Sequence, residues 1–328
     1  MYKLAVFTNF PLLPTPGYRV FFDRLMNSNR IELIDVNNPL SANMSISINH
    51  QDNQLAEIIS AGIPKQNRHL IMLECRQILP NMHSNDTLKE YGHIYSPSPF
   101  WAVEFNPILF KYGFNLEVPG PPKPLVDRKY TFGLVQRNKY SCVKGELYTL
   151  RREVVFKMSK IGIDLELRGP DWNRSTSRAY FDYLKILRFG FINFRDTEFV
   201  IIPKYLRIKN RFISSKVKNK QDFLQSVKVA IIIENGIDYV SEKIFDCFRA
   251  GTVPIYVGPE LEQFGIPENT VIRANPNSTD VLRVIENIDN YDLQEVQNNG
   301  WKFLNSGGQD WAEVNVMKSL AERILNEI

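Results

Sequence analysis

The sequence predicts an α/β protein built from two domains with parallel β-sheets, and three observations predict it. The chain has 328 residues, longer than one typical domain and enough for two that each bury a core. Short apolar runs of strand length alternate with helix-length segments in both halves, the pattern of parallel sheets with right-handed crossovers. One proline-rich break, Val118-Pro119-Gly120-Pro121-Pro122-Lys123-Pro124, separates the two series. Its prolines fix φ and remove donors, so neither a helix nor a central strand crosses it. The expected domains are therefore residues 1–120 and 125–310.

The first series opens with a strand from Leu4 to Thr8 and a proline-rich turn through Pro11, Pro14 and Pro16. A helical run from Val20 to Met26 and a strand from Ile31 to Val36 follow. Asn37 to Asn53 is polar and rich in Asn and Ser and reads as loop, and Leu55 to Ala61 reads as helix. His69-Leu70-Ile71-Met72-Leu73 is a continuous apolar run of the kind found in buried parallel strands, and it ends at Glu74. The second series has a strand from Tyr130 to Val135, a helix from about Glu146 to Lys160 and a strand from Ile163 to Leu167. Residues 174–216 mix aromatics with bases and read either as a helix and hairpin or as an insertion. Asp222-Phe223-Leu224 leads into a buried strand from Val227 to Ile233, which stops at Glu234-Asn235-Gly236. Residues 311–328 carry Val316, Leu320, Ile324 and Ile328 on one stripe, which predicts an amphipathic helix packed on another element. Both series have the strand-helix-strand order of a Rossmann-like domain.

Bulk properties exclude several classes. The net charge of +4 is the small difference between 40 basic and 36 acidic residues and is too weak by itself to argue for nucleic acid, which is not expected as a partner. Six bases between Arg207 and Lys220 form a local run that reads as a solvated face, with peripheral contact to an anionic membrane as the alternative. Cys75, Cys142 and Cys247 lie far apart, so neither a zinc site nor a disulfide framework is indicated. His50, His69, His83 and His93 have no metal-ligand spacing. Met1 to Phe7 runs straight into a strand without the pattern of a signal peptide, and no run reaches the length of a membrane span. A cytoplasmic protein, at most peripheral to a membrane, is expected.

The chemistry concentrates between Glu234 and Pro259. Ser241 is a plausible N-cap, Ile244, Cys247 and Phe248 form one apolar face, and Gly251 ends the helix. A loop at a strand's C-terminal end that feeds a helix N-terminus is where α/β sheets bind phosphate groups. Glu242 and Lys243 fall in that first turn. Helix electrostatics favours acids there, so Lys243 reads either as an ordinary exposed lysine or as the partner of a bound anion.

Lys220, Phe223-Leu224, Lys228, Glu234-Asn235, Tyr239-Val240-Ser241-Glu242-Lys243 and Ala250-Gly251-Thr252-Val253-Pro254-Ile255-Tyr256 together resemble the donor-binding region of glycosyltransferase family 10, the α-1,3/1,4-fucosyltransferases. Weaker similarity runs upstream through Leu167-Arg168-Gly169 and Leu150-Arg151-Arg152 to Leu73-Glu74. The resemblance implies a GT-B type fold, with two Rossmann-like lobes, a cleft between them, and the 311–328 helix packed back on the first lobe. It implies GDP-fucose as donor, held by the Tyr-x-x-Glu-Lys motif at Tyr239, Val240, Glu242 and Lys243. In this pattern Lys243 meets the diphosphate, Glu242 meets sugar or ribose hydroxyls, and Asn235 lines the same pocket. An arginine at the start of the first helix of this lobe also meets the diphosphate, which Arg151 fits first and Arg152 second. The loop from Asn235 to Tyr239 is shorter than in many members, and Ser241 stands where Thr is usual.

Glu74 is the candidate general base, at the C-terminal end of an apolar strand in the acceptor lobe. Inversion needs one carboxylate to take the acceptor hydroxyl's proton. A strand-end glutamate that is exposed or paired with Arg76 is the alternative. No obligatory metal or cofactor is expected, and Asp196-Thr197-Glu198 is not read as a metal motif. The expected acceptor is a hydroxyl of a glycan, such as a lipopolysaccharide O-antigen, or of a glycosylated protein. Another GDP-sugar as donor and a non-catalytic nucleotide-sugar or glycan-binding protein are the competing readings, with a nucleic-acid binder using the 207–220 basic run as a third, which a steep salt dependence of oligonucleotide affinity would reveal. Joint presence of Glu74, Arg151 and Lys243 argues against the second of these.

Overall fold

The computed structural model describes residues 1–8, 15–34, 41–114, 120–139, 141, 143–170, 172 and 218–328. Asp196-Thr197-Glu198 and the basic run as far as Lys216 lie outside the described residues, as does the whole 174–216 segment of aromatics and bases. In chain order the elements are β1 (Tyr2–Thr8), α1 (Pro16–Met26), β2 (Ile31–Leu33), β3 (Met44–Ile48), α2 (Asp52–Ser60), β4 (Arg68–Ile71), α3 (Asn85–Leu88), β5 (His93–Ser96) and β6 (Ile108–Leu109). There follow β7 (Tyr130–Val135), α4 (Tyr148–Ile161), β8 (Leu165–Arg168), α5 (Lys220–Gln225), β9 (Val227–Ile233), α6 (Glu242–Ala250), β10 (Val253–Val257), β11 (Ile272–Arg273), α7 (Ser278–Glu286), α8 (Leu293–Asn305) and α9 (Glu313–Asn326). The chain divides into two compact units, Met1–Leu116 with Gln309–Ile328, and Glu117–Gly308. Each is a Rossmann-like α/β domain with a parallel sheet.

In the first unit the sheet order is β2-β1-β3-β4-β5-β6 with every pairing parallel. The direction of winding reverses between β1 and β3, which makes that edge the unit's topological switch point. The strand β3 corrects the loop expected over Asn37 to Asn53. Its Met-Ser-Ile-Ser-Ile sequence is buried throughout, with Ser45 and Ser47 at 0% and 1% exposure. Strands in a parallel sheet are covered on both faces, and here the second face is filled by small hydroxyl residues that by composition look like loop. Ser47 accepts a hydrogen bond from the Tyr91 hydroxyl at 3.3 Å, which meets part of its need for a partner.

Helix α1 begins where Thr15 caps Tyr18 N–H and Pro16 occupies the first turn. Its Phe21 and Leu25 pack with Val316, Leu320, Ala321 and Ile324 of α9. The contact is close at Gly17, where a Cβ would lie 2.4 Å from Glu313 Cγ. Thr15 Oγ1 donates to Glu313 Oε1 at 2.7 Å, and Arg30 donates to the Leu325 carbonyl at 2.8 Å. Leu320 is fully buried, so Leu320→Ala should lower the unfolding free energy by roughly 2–5 kcal/mol. Chemical denaturation checks this, and an unchanged midpoint would mean α9 does not belong to this core.

The second unit has sheet order β11-β10-β9-β7-β8, again all parallel. Its core joins Val229, Ile231 and Ile233 of β9 to Val154, Val155 and Met158 of α4 and Val281, Val284 and Ile285 of α7. Gly162 ends α4 at φ 78° and Gly251 ends α6 at φ 62°, both left-handed positions suited to glycine. Arg128 is buried and donates to the carbonyls of Leu224, Val227, Ala250 and Lys123 and to Thr252 Oγ1. It thereby ties the proline-rich entry segment to the ends of α5 and α6.

Candidate active site

The winding of the second unit's sheet reverses between β7 and β9, so the crevice for a ligand is expected at their C-terminal ends. Two helix N-termini follow from these strands, α4 after β7 and α6 after β9. Their partial positive charges favour an anion. The loops behind the two strands are zipped together, since Leu147 N–H donates to the Asn235 carbonyl at 3.1 Å and Glu146 bridges Gly236.

Glu234, the residue after β9, organises this edge; the sequence marks it as the strand's stop and as part of the family-10 resemblance, but assigns its side chain no role. Its side chain has 0% exposure. One carboxylate oxygen accepts from Ser241 N–H at 3.0 Å. The other accepts from Ser241 Oγ and from the Lys243 ammonium, both at 2.7 Å. Lys243 Nζ also donates to Ser241 Oγ at 2.7 Å. Two of its three N–H groups are thus spent on the chain, and the side chain is 11% exposed. The purpose that a bound anion would give Lys243 is therefore met first inside the protein, by a buried carboxylate nine residues earlier in the chain.

Arg151 meets the same point from the other strand. Its guanidinium donates to the carbonyls of Arg137 at 3.0 Å, Ile233 at 2.7 Å and Glu234 at 3.3 Å, bridging the ends of β7 and β9. Burial lowers its pKa to about 10, so it stays cationic at neutral pH. Gln136 Nε2 reaches the Ile233 carbonyl at 3.1 Å, and the Trp172 indole donates to the Gln136 carbonyl at 2.7 Å. Arg152 donates to Thr149 Oγ1 at 2.9 Å and to the Lys139 carbonyl. Lys220, the described end of the basic run, pairs with Asp246 at 2.6 Å and Glu242 at 3.5 Å. Gly258 allows a further close approach, since a Cβ there would lie 2.5 Å from the Tyr256 hydroxyl and 2.9 Å from Glu234 Cγ.

The structure thus brings Arg151, Asn235 and Lys243 to one edge around Glu234. Tyr239 and Val240 lie in the same loop with 5% and 2% exposure, and Glu242 keeps a half-exposed carboxylate in the first turn of α6. Glu74 belongs to the first unit. It lies three residues beyond β4, at the C-terminal side of that sheet; β4 ends at Ile71, shorter than the expected strand, although Met72 N–H still donates to the Tyr95 carbonyl of β5 at 2.9 Å. Glu74 N–H donates to Asn49 Oδ1 at 3.1 Å, and its carbonyl lies 2.9 Å from His83 Nε2. Among the described residues no group of His, Cys, Asp and Glu side chains could hold a metal ion, and no helix is long and apolar enough to cross a membrane.

Comparison with known proteins places this geometry among known folds. No protein-family profile matches the chain. Anabaena Alr3699/HepE, solved in complex with UDP-glucose, covers the whole chain with a TM-score of 0.60 at 10% identity, and is itself wholly covered. A trehalose-6-phosphate synthase analysed for glycosyl transfer with retention covers 96% of this chain and 80% of its own, with a TM-score of 0.54 at 11% identity. The chain has the GT-B fold of these glycosyltransferases. In sequence, GDP-fucose protein O-fucosyltransferase 3 of Danio rerio is 27% identical over 130 residues. That match spans 37% of this chain and about a quarter, 26%, of the relative.

Proposed function

We propose that the chain is a glycosyltransferase that takes fucose from GDP-fucose and transfers it with inversion to a hydroxyl of a glycan. The observation that carries the reading is the convergence of Lys243, Arg151 and two helix N-termini on the β7–β9 switch point. The motif pattern resembling family 10 and the fucosyltransferase relative support fucose; HepE supports a nucleotide-sugar donor in this fold.

In this mechanism the donor's diphosphate lies at the N-termini of α4 and α6. Glu74 takes the proton from the acceptor hydroxyl while its oxygen attacks the anomeric carbon opposite the diphosphate. The carbon–oxygen bond to phosphate breaks, and its electron pair leaves on GDP. Lys243's remaining N–H, the Arg151 charge and the helix dipoles stabilise the negative charge that grows there. Those groups are fixed by the protein before the donor arrives, so little reorganisation is required in the transition state. No metal is assigned a part, and a chelator should leave the initial rate unchanged.

The test offers GDP-fucose, GDP-mannose and UDP-glucose in parallel with an array of glycans and hydroxyl-bearing peptides. The peptides are included because the relative is a protein O-fucosyltransferase. Mass spectrometry should find fucosylated product from GDP-fucose alone, and NMR of the product should show an inverted anomeric centre. Preference for UDP-glucose, or a retained configuration, would overturn the reading.

A further inference from the structure

We infer that Asn49 and His83 are positioning residues that fix the base Glu74 by clamping its peptide groups on both sides; the inference rests on the base assignment above. Asn49 directly follows β3 and Glu74 follows β4, its neighbour in the sheet, so both reach the same edge. The Asn49 side chain is fully buried, and its Oδ1 accepts from Leu73 N–H at 2.8 Å and Glu74 N–H at 3.1 Å. Two backbone donors on one oxygen settle which way the amide is turned. Its own N–H donates to the Ile71 carbonyl at 2.8 Å, so the residue continues the β3–β4 ladder while its side chain secures the next two peptides.

His83 closes the other side. Its Nε2 lies 2.9 Å from the Glu74 carbonyl, which only accepts, so Nε2 carries the hydrogen. The ring is 6% exposed and packs edge-to-face on the buried Trp101 indole, with centroids 4.8 Å apart. Burial lowers its pKa to about 4 against the opposing pull of the Glu74 carbonyl, so the ring is neutral at physiological pH. A neutral ring held by packing gives a fixed donor. The loop carrying Glu74 therefore has its N–H and its C=O tied to two different buried side chains, which restricts where the carboxylate can swing.

Two features make this more than loop repair. Asn49 holds a left-handed backbone at φ 57°, a conformation that costs a non-glycine residue free energy. Glycine would adopt it without that cost, yet the position carries the one side chain whose oxygen serves both amides. Asn49 Nδ2 in addition is a buried donor with no hydrogen-bond partner among the described residues.

The test compares Asn49→Gly, His83→Phe and His83→Gln with the full-length wild type in GDP-fucose transfer. Asn49→Gly keeps the backbone geometry and removes only the amide. His83→Phe keeps the ring on Trp101 and removes the donor, whereas His83→Gln keeps an amide donor. For the first two, kcat should fall on the order of ten- to a hundredfold with donor KM held within about twofold, and His83→Gln should recover part of the loss. Hydrogen exchange at the Glu74 amide should quicken in Asn49→Gly irrespective of turnover. Wild-type kcat in folded Asn49→Gly and His83→Phe, or unchanged Glu74 amide protection, would overturn the inference. Glu74→Gln is measured alongside. If it transfers at the wild-type rate, the base assignment falls and this inference falls with it; if it is inactive while both clamp variants keep wild-type kcat, this inference alone falls.

Discussion

Lys243→Met should cost the protein about 3–5 kcal/mol of stability, because it leaves the fully buried Glu234 carboxylate without its ion partner. It should also remove most of the affinity for GDP, since in the proposed mechanism the same ammonium meets the donor's diphosphate. The two effects can be separated. Lys243→Met combined with Glu234→Gln removes both charges, and replacing a buried pair by neutral groups is often nearly neutral for stability. The double variant should therefore regain most of the lost melting temperature and none of the GDP binding. Thermal melts and calorimetry on the three proteins decide it. If the double variant binds GDP as wild type does, the role of Lys243 is structural only.

Glu74→Gln should lower kcat by about 10²- to 10⁴-fold with donor KM little changed, the range lost when a general base is removed. The substitution preserves the side chain's shape and leaves the backbone bonds to Asn49 and His83 intact. Stability should consequently stay within about 0.5 kcal/mol of wild type. Steady-state rates at saturating acceptor give the answer, and an unaltered kcat would remove Glu74 from the mechanism.

How much of this was readable beforehand follows from where each signal resides. Strand β9 and helix α6 were legible because their evidence is local: a continuous apolar run, a serine cap at Ser241, and a glycine stop at Gly251. Strand β3 was not, because Ser45 and Ser47 are buried through tertiary covering that no alternation in Asn- and Ser-rich sequence reveals. Asn49 was lost with it, hidden in what read as loop. In the candidate site, Lys243 stood out at a helix start, where its charge is unexpected, and Arg151 was singled out only through the resemblance to family 10. Their partner Glu234 did not stand out, since a glutamate before Asn-Gly looks like an ordinary strand end. Its role depends on the Ser241 cap folding α6 back across the end of β9, a contact spanning seven residues that only the turn between them creates. Arg151 shows the same division. Its charge is visible in sequence, but that it bridges β7 and β9 through carbonyls is a consequence of strand order.

Hydrogen–deuterium exchange of the whole chain with and without GDP addresses the central claim, that the β7–β9 switch point holds the donor's diphosphate. The account predicts slowed exchange in the turn from Gln136 into the first turn of α4, and from Glu234 into the first turn of α6, with the rest of the second unit's sheet unchanged. Saturating GDP that leaves both segments exchanging at their ligand-free rates would contradict it.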